Sequence, residues 1–162
     1  MKLGIIIIFH NNGDNIDKDF FISHLNEAKD VEFCFVNNAS FDKTYQFLTE
    51  IKEDCSCVSL VDIKKYTTES IAVKAGARFL FNEFDLNHIG YVSANPRNKE
   101  QFNLNELLKA ISVNKDFILD YDIKMIEREK IKKSIMNRIF SVIEYLKVLK
   151  TNKQLFIVQS LF

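Results

Sequence analysis

Apolar runs alternate along most of the chain with segments whose apolar residues repeat every three or four positions. Residues 3–9 form a continuous, isoleucine-rich run, which is typical of a strand buried on both faces of a parallel sheet. Shorter runs of similar character recur between the helical patterns. The predicted strands cover residues 3–9, 31–36, 58–63, 89–93 and 117–121. The predicted helices lie around residues 20–28 and over residues 42–52, 67–81 and 104–111.

Strands that alternate with helices predict right-handed βαβ crossovers. The expected fold class is therefore α/β, a three-layer Rossmann-like arrangement with a mainly parallel sheet and helices on both faces. The helical spacing predicts the positions that face the sheet, namely Phe20, Phe21, Leu25, Ala28, Tyr45, Leu48, Ile51, Ile71, Ala72, Ala75 and Phe79. Ligands of such sheets bind beyond the carboxyl ends of the strands. The loops to inspect are thus residues 10–12, 37–40, 64–70 and 94–97.

The last third of the chain has a different pattern. Residues 127–150 predict one long helix with an apolar stripe and many basic residues, followed by a short strand at 155–158. Such a helix either packs its stripe on the sheet or lies on an anionic membrane surface as a peripheral contact. The stripe consists of Ile131, Ile135, Ile139, Val142, Leu146 and Leu149.

Composition and charge narrow the class of protein. The 162 residues fit one domain, and 47% apolar with 27% charged residues is a globular composition. A formal net charge of zero argues against a nucleic-acid partner, which needs a basic surface. The balance hides an asymmetry, because residues 1–100 carry 11 basic and 15 acidic side chains, whereas residues 101–162 carry 11 and 7. Four glycines are few for a nucleotide-binding domain.

Cysteines and histidines give no sign of a metal or disulfide framework. Cys34, Cys55 and Cys57 are odd in number, and no second pair follows the last two at zinc-ligand spacing. We therefore expect reduced thiols, with Cys34 in a core strand. His24 is expected in a helix, at the surface or at the boundary between surface and core, and His88 in a turn. The apolar run near the N-terminus is too short for a signal sequence, and no run reaches about 20 apolar residues, so we expect a soluble cytoplasmic protein.

Phosphate-binding glycine loops and a GxSxG nucleophile motif are missing, but four segments together are informative. Residues 5–11, 36–44, 69–76 and 89–96 follow one another at the spacing of four motifs. Their order resembles the family 2 glycosyltransferases of the GT-A fold, over roughly residues 3–121. The resemblance implies one domain over residues 1–162, with a nucleotide-binding part at 1–100 and the basic helix and terminal strand at 101–162. It also implies a donor that is a UDP- or GDP-linked sugar.

The resemblance implies roles for side chains at the first three motifs. Phe9, His10 and Asn11 would lie under the nucleotide base, and Asn37 stands where the family often has an aspartate that contacts uracil. Asn38 and Ser40 continue that loop, and Ser70 and Lys74 begin the third helix, where Lys74 either contacts a phosphate or remains on the surface. The alternative for residues 37–40 is a simple turn, with Asp42 capping the next helix. Gly76, in mid-helix, predicts close packing.

The fourth motif departs from the family. Its Asp-x-Asp acids bind Mg²⁺ or Mn²⁺, but this chain has Ser93, Ala94 and Asn95. A hydroxyl and an amide are poor ligands for a hard cation by themselves, so no metal ligand is assigned and the cofactor stays open. Arg97 is the candidate for a fixed positive charge beside the leaving diphosphate.

The catalytic base is also displaced from its usual place. Asp120 and Asp122, after the predicted fifth strand, are the candidates, and the alternative is that both are exposed acids at a strand end. Two functional hypotheses follow: a glycosyltransferase in glycan or glycolipid assembly, or a catalytically inactive binding or scaffold protein with the same fold. A third is a membrane-surface adaptor that uses the basic helix.

Overall fold

The computed structural model describes residues 2–95 and 103–151. Five parallel strands form one sheet in the order β3-β2-β1-β4-β5. The strands are β1 (Leu3–Phe9), β2 (Val31–Asn38), β3 (Val58–Ile63), β4 (His88–Ser93) and β5 (Phe140–Ser141). The helices are α1 (Lys18–Glu27), α2 (Thr44–Asp54), α3 (Glu69–Glu83), α4 (Leu104–Val113), α5 (Lys115–Glu127) and α6 (Val142–Thr151), with 3₁₀ turns at Gly13–Asn15 and Ile135–Asn137. The predicted three-layer Rossmann-like α/β class is confirmed.

The apolar character of β1 follows from its central position. It pairs with β2 on one side and with β4 on the other, so that Leu3 is in register with both Val31 and His88. Every residue of β1 and β2 is buried, because helices cover both faces of the sheet. Strands in this position read as continuous apolar runs, which is the pattern that predicted them.

Two buried clusters fill the two faces of the sheet. On one face, α1, α2, α4 and α6 pack on the side chains of Ile5, Ile7 and Phe35. On the other face, α3 packs on Ile6 and Cys34. A Cβ atom at Gly76 would lie 2.8 Å from Ile6 Cγ2, so the glycine lets α3 approach the sheet, as its mid-helix position predicted.

In two helices, one residue that was predicted to face the sheet faces solvent instead. Tyr45 is 44% exposed and Ile71 is 55% exposed, whereas Leu48, Ile51 and Ala72 are buried as predicted. In α3 the buried positions also include Val73 and Ala77.

The two histidines outside the loops differ in outcome. His88 is corrected, because it is the buried first residue of β4 and not a turn residue. His24 lies in α1 against Phe20, partly buried between core and surface, as predicted.

The predicted strand at 117–121 is wrong, because these residues lie inside α5. A short apolar run does not distinguish a strand from a buried helix segment by itself. Ile118 and Asp122, four residues apart, are the buried positions, which is a helical spacing. Asn114 lies at the N-terminus of the helix, where asparagine is favoured.

The predicted single helix over 127–150 is also wrong. Helix α5 ends at Glu127, residues 128–134 are exposed, and Phe140 pairs with Gly90 at the sheet edge before α6 begins. Val142, Leu146 and Leu149 do pack inward, whereas Ile131 is 76% exposed. The strand predicted at 155–158 lies outside the described residues. Within the described ranges, no helix has the length and apolarity that a membrane crossing requires.

The three cysteines are buried and form no disulfide, as predicted for free thiols. Burial raises the pKa of the Cys34 thiol to about 12. A thiol that stays protonated at neutral pH is a poor nucleophile, so Cys34 acts as a small apolar residue of β2.

Candidate functional site

A cavity of about 270 Å³ opens at the carboxyl ends of β1, β2 and β4. The chain adds β2 and β3 on one side of β1 and then adds β4 on its other side, so the strand order reverses between β1 and β4. Ligands of open α/β sheets bind at such a point. We call this the switch-point cavity. It is lined by Ile8, His10, Asn38, Tyr66, Glu69, Ser93 and Asn95.

A pair of asparagine side chains connects the loops after β1 and β4. Asn12, only 3% exposed, accepts a hydrogen bond from the His10 N–H at 2.9 Å and donates one to Asn95 Oδ1 at 2.9 Å. Asn95 Nδ2 donates to the His10 carbonyl at 2.6 Å and to Asn12 Oδ1 at 3.1 Å. The Asn95 amide therefore holds two loops together. Asn12 was not among the predicted site residues; its position directly after β1 was the available signal.

The loops after β1 and β2 are joined in a similar way. Asn11 has a φ of 53°, a left-handed conformation that asparagine tolerates better than most residues. Its N–H donates to Ser40 Oγ at 3.1 Å, and its Oδ1 accepts from the Phe41 N–H at 2.8 Å. Asn11 and Ser40 were both predicted to contact a nucleotide. In the structure, these polar groups form hydrogen bonds between the two loops.

Asn38 connects the loop after β2 to the loop after β3. Its Nδ2 donates to the Thr67 carbonyl at 2.9 Å, and its Oδ1 accepts from the Thr67 N–H at 3.1 Å. This two-point contact fixes the chain on either side of Thr67. It therefore positions Tyr66 and Glu69 at the wall of the cavity.

His10 forms an aromatic part of the cavity wall, and its hydrogen-bond partner indicates which ring nitrogen carries the proton. Its Nδ1 lies 2.7 Å from the Asn38 carbonyl, and because a carbonyl only accepts, Nδ1 carries the proton. Its ring meets Tyr66 edge-on with centroids 4.7 Å apart, and Phe41 lies at 6.5 Å. Tyr66 is 63% exposed and Phe41 is 89% exposed, so aromatic surface faces solvent at the cavity mouth. Neither was predicted, although Tyr66 lies in a loop that the fold class indicated.

Glu69 is the charged side chain of the switch-point cavity. Over the described ranges 2–95 and 103–151, its carboxylate makes no hydrogen bond or ion pair. Ser93 Oγ lies 3.2 Å from both the N–H and the carbonyl of Asn95, so it closes a local turn. The cavity therefore combines one unpaired acceptor with an aromatic wall.

Ser70 and Lys74 line a neighbouring cavity instead. It has a volume of about 390 Å³, includes Glu69 in its wall, and is bounded by Val73 and Tyr91 on its apolar side. Four of the predicted nucleotide-binding residues thus line two adjoining cavities: His10 and Asn38 line the switch-point cavity, and Ser70 and Lys74 line this one. Lys74 is exposed on α3, as the surface alternative expected.

Phe9 and Asn37 lie on the other face of the sheet from the cavity. Side chains alternate along a strand, which places Phe9 with Ile5 and Ile7 in the core, fully buried with its ring 5.2 Å from that of Phe35. The expectation that Phe9 lies under a base is therefore corrected. Asn37 donates from Nδ2 to Asp62 at 2.8 Å, and its buried Oδ1 has no hydrogen-bond partner in the part of the chain that the structure describes.

The residues at the Asp-x-Asp positions do not fit a divalent cation. Ser93 and Asn95 are uncharged and their polar atoms bond to the neighbouring backbone and to Asn12. Among the described residues, no group of three or more His, Cys, Asp or Glu side chains could hold a metal ion. Hard cations prefer charged oxygen ligands, and neither Ser93 nor Asn95 supplies one. Arg97 lies outside the described residues.

Asp120 and Asp122 lie far from the switch-point cavity along the strand direction. Both are on α5, and Asp122 binds His88, the first residue of β4, so it lies at the amino edge of the sheet. Asp120 is exposed on the same helix. The structure does not bring either candidate base to the carboxyl edge where the cavity opens.

Asp42 stabilises the loop before α2. Its Oδ2 accepts from the Gly13 N–H at 2.8 Å, and its Oδ1 accepts from the Thr44 N–H at 2.9 Å and from the Thr44 hydroxyl. Partial desolvation raises the pKa of Asp42, but these hydrogen bonds outweigh it and hold the pKa below its ordinary value. Lys43 occupies the N-cap position of α2 without a side-chain cap, but Asp42, one residue earlier, accepts from the first N–H of the helix, so the capping alternative for Asp42 is confirmed in part.

Replacing Asp42 by Ala is expected to lower the free energy of unfolding at neutral pH by about 1 kcal/mol, the usual cost of a lost cap. Because the folded pKa is depressed, this stabilisation is present above the unfolded pKa, near 3.8, and is lost as pH falls through the folded pKa. Urea denaturation at neutral and at acidic pH checks this. The difference between wild type and variant should shrink on acidification, and a constant difference would contradict the assignment.

No protein-family model matches the chain, and no curated protein matches it either. A functional conclusion therefore rests on the fold and on the geometry of the switch-point cavity.

Proposed function

We propose that this chain binds a nucleoside diphosphate, free or as its sugar conjugate, in the switch-point cavity. The observation that carries the proposal is the position of that cavity at the point where the strand order reverses, between β1 and β4. The four sequence segments that resemble family 2 glycosyltransferases support the same ligand class. UDP- and GDP-linked ligands are the first to test.

The chemistry of the wall supports a planar, polar ligand. Tyr66 and His10 offer an aromatic surface on which a base stacks, and base–aromatic stacking contributes about 1–3 kcal/mol. The unpaired Glu69 carboxylate accepts hydrogen bonds from the N–H groups of a base or the hydroxyls of a ribose. The cross-linked loops around Asn12 and Asn38 hold this wall in place before a ligand arrives, which lowers the entropic cost of binding.

Binding without metal-dependent transfer is the form of the proposal that the side chains favour. Asn95 and Ser93 use their polar atoms within the loops, and Asp122 is bonded to His88 at the opposite edge. The glycosyltransferase hypothesis remains the second candidate. It requires turnover of a UDP- or GDP-linked sugar, and any such turnover would refute the inactive form of the proposal.

The first experiment is a titration of the isotope-labelled chain with UDP, GDP and their sugar conjugates, followed by backbone amide shifts. We expect shifts at His10, Asn11 and Asn95, and a Kd that does not change on addition of Mn²⁺, because the side chains at the Asp-x-Asp positions, Ser93 and Asn95, are not carboxylates. If no nucleotide moves these amides at millimolar concentration, the proposal fails.

Tyr66→Ala is expected to weaken nucleotide binding about tenfold, because it removes one stacking surface at the low end of the range above. The matched control is Phe81→Ala, which removes another exposed aromatic ring of similar size from the far end of α3. Isothermal titration with the better of UDP and GDP measures both variants. Equal losses in the two variants would show that the effect does not come from the cavity.

A further inference from the structure

Residues 128–138, between α5 and β5, form a strongly basic segment. It carries five cationic side chains and one acid, so its net charge is +4. We call it the basic segment. Its cations are Arg128, Lys130, Lys132, Lys133 and Arg138. In the described ranges, none of them forms an ion pair with a carboxylate.

An apolar side chain protrudes from the middle of these cations. Ile131 is 76% exposed, and all residues from 128 to 134 are exposed. A single exposed isoleucine needs no explanation by itself. Here, however, Lys130 and Lys132 flank it directly, which is the combination of basic and apolar groups that binds the interface of an anionic bilayer.

The base of the segment contains a cavity of about 400 Å³. Lys132, Lys133 and Arg138 line it together with Glu127 and Glu129, so the cations exceed the acids there by one. The Nε atom of Arg138 is buried and has no hydrogen-bond partner among the described residues. A buried unpaired donor is costly, and a guanidinium binds phosphate oxygens well, so an incoming phosphate would satisfy it.

We propose that the basic segment binds the surface of an anionic membrane. Lys132, Lys133 and Arg138 contact a lipid phosphate at the cavity, the other cations contact neighbouring headgroups, and Ile131 enters the boundary of the acyl region. This site shares no lining residue with the switch-point cavity, so the proposal does not depend on the proposed function.

The test is co-sedimentation of the full chain with vesicles of phosphatidylcholine, with and without phosphatidylserine, at low and high salt. We expect binding to the anionic vesicles alone and its loss at high salt, because screening removes the attraction. The double variant Lys132→Gln, Lys133→Gln should bind at least about tenfold more weakly. Ile131→Ser should weaken binding without changing its salt dependence.

The matched control is Lys29→Gln, Lys52→Gln, which removes the same charge from exposed lysines outside the segment. It should bind like the wild type. A loss equal to that of the Lys132 and Lys133 variant would overturn the site, as would absence of wild-type binding at low salt. Inorganic phosphate and a short RNA form two further arms, and saturable binding of either without vesicle binding would overturn a membrane surface as the partner.

Discussion

Replacing Asp122 by alanine is expected to lower the free energy of unfolding by about 3–5 kcal/mol, the cost of breaking a buried polar pair from one side. Asp122 is 3% exposed and His88 is 5% exposed. Asp122 Oδ2 lies 2.7 Å from His88 Nδ1, and Oδ1 accepts from the Tyr145 hydroxyl at 2.6 Å. Removing the carboxylate leaves two donors unpaired, and those donors lie on β4 and α6, the two elements that this side chain of α5 links.

Chemical denaturation measures this change, and Asp120→Ala is the control. Asp120 lies two residues away on the same helix but is exposed, so its replacement should change the free energy of unfolding by less than about 0.5 kcal/mol. Burial and the hydrogen bond to Asp122 raise the pKa of Tyr145 above its ordinary value, and Asp122→Ala should bring it down. A loss below 1 kcal/mol, about the value for an ordinary hydrogen bond, would show that the trio does not join these elements.

The sheet could be predicted from the sequence because burial on both faces leaves a direct trace. The run of β1 has no polar residue and residues 33–36 of β2 are likewise apolar, whereas β3, which is only partly buried, includes Ser59 and Asp62. Crossover connections make these strands parallel, so the loops that follow their carboxyl ends all lie at the same edge of the sheet. What the pattern missed at the end of β2 is that Asn37 and Asn38 still belong to the ladder, since polar residues there pair with β3.

The elements after residue 103 were harder to predict because periodicity does not report tertiary packing. The apolar residues Phe117 and Ile118 fit a strand and a helix equally well over the short run 117–121. The helix buries the face that carries Ile118 and Asp122, where Asp122 bonds to His88. The apolar stripe predicted over residues 127–150 runs through residues that belong to different elements of the fold. Ile135 and Ile139 cross to the α3 face, while Phe140 joins the sheet.

The position of the site was predictable, but the roles of its side chains were not. Loops after β1, β2 and β4 do surround a cavity. Asparagine, however, both donates and accepts, so Asn11, Asn38 and Asn95 find partners in the loops that follow neighbouring strands. A sequence pattern shows which groups are present and not which of them remain unpaired. In the function that we propose, the exposed Tyr66 and the unpaired Glu69 provide the ligand contacts instead.

The side chains that stand at the Asp-x-Asp positions bear on the function that we propose. In the resembling family, charged residues at the β4 loop act on a metal, whereas here uncharged amides fix that loop to β1. Uncharged side chains at positions 93 and 95 suit recognition of a ligand better than stabilisation of a departing diphosphate. In the function that we propose, ligand binding therefore depends on the loop network around Asn12 as well as on the cavity wall.

Asn12→Ala is expected to lower the free energy of unfolding by about 2–3 kcal/mol, because it leaves buried polar groups of the β1 loop without partners. It should also weaken nucleotide binding, since His10 and Asn95 lose their common contact. Asn15→Ala is the control, because Asn15 follows in the same loop but is exposed.

A double-mutant cycle with Asn95→Ala isolates the contact between the two amides. Because Asn12 and Asn95 exchange hydrogen bonds at 2.9 and 3.1 Å, the two changes should not be additive, with a coupling energy of about 1 kcal/mol or more. Urea denaturation of the four proteins gives the coupling, and titration of the same proteins with nucleotide gives its effect on Kd. Additive losses would mean that the amide pair does not hold the loops together, and that the contacts of Asn11 and Asn38 fix the cavity wall instead.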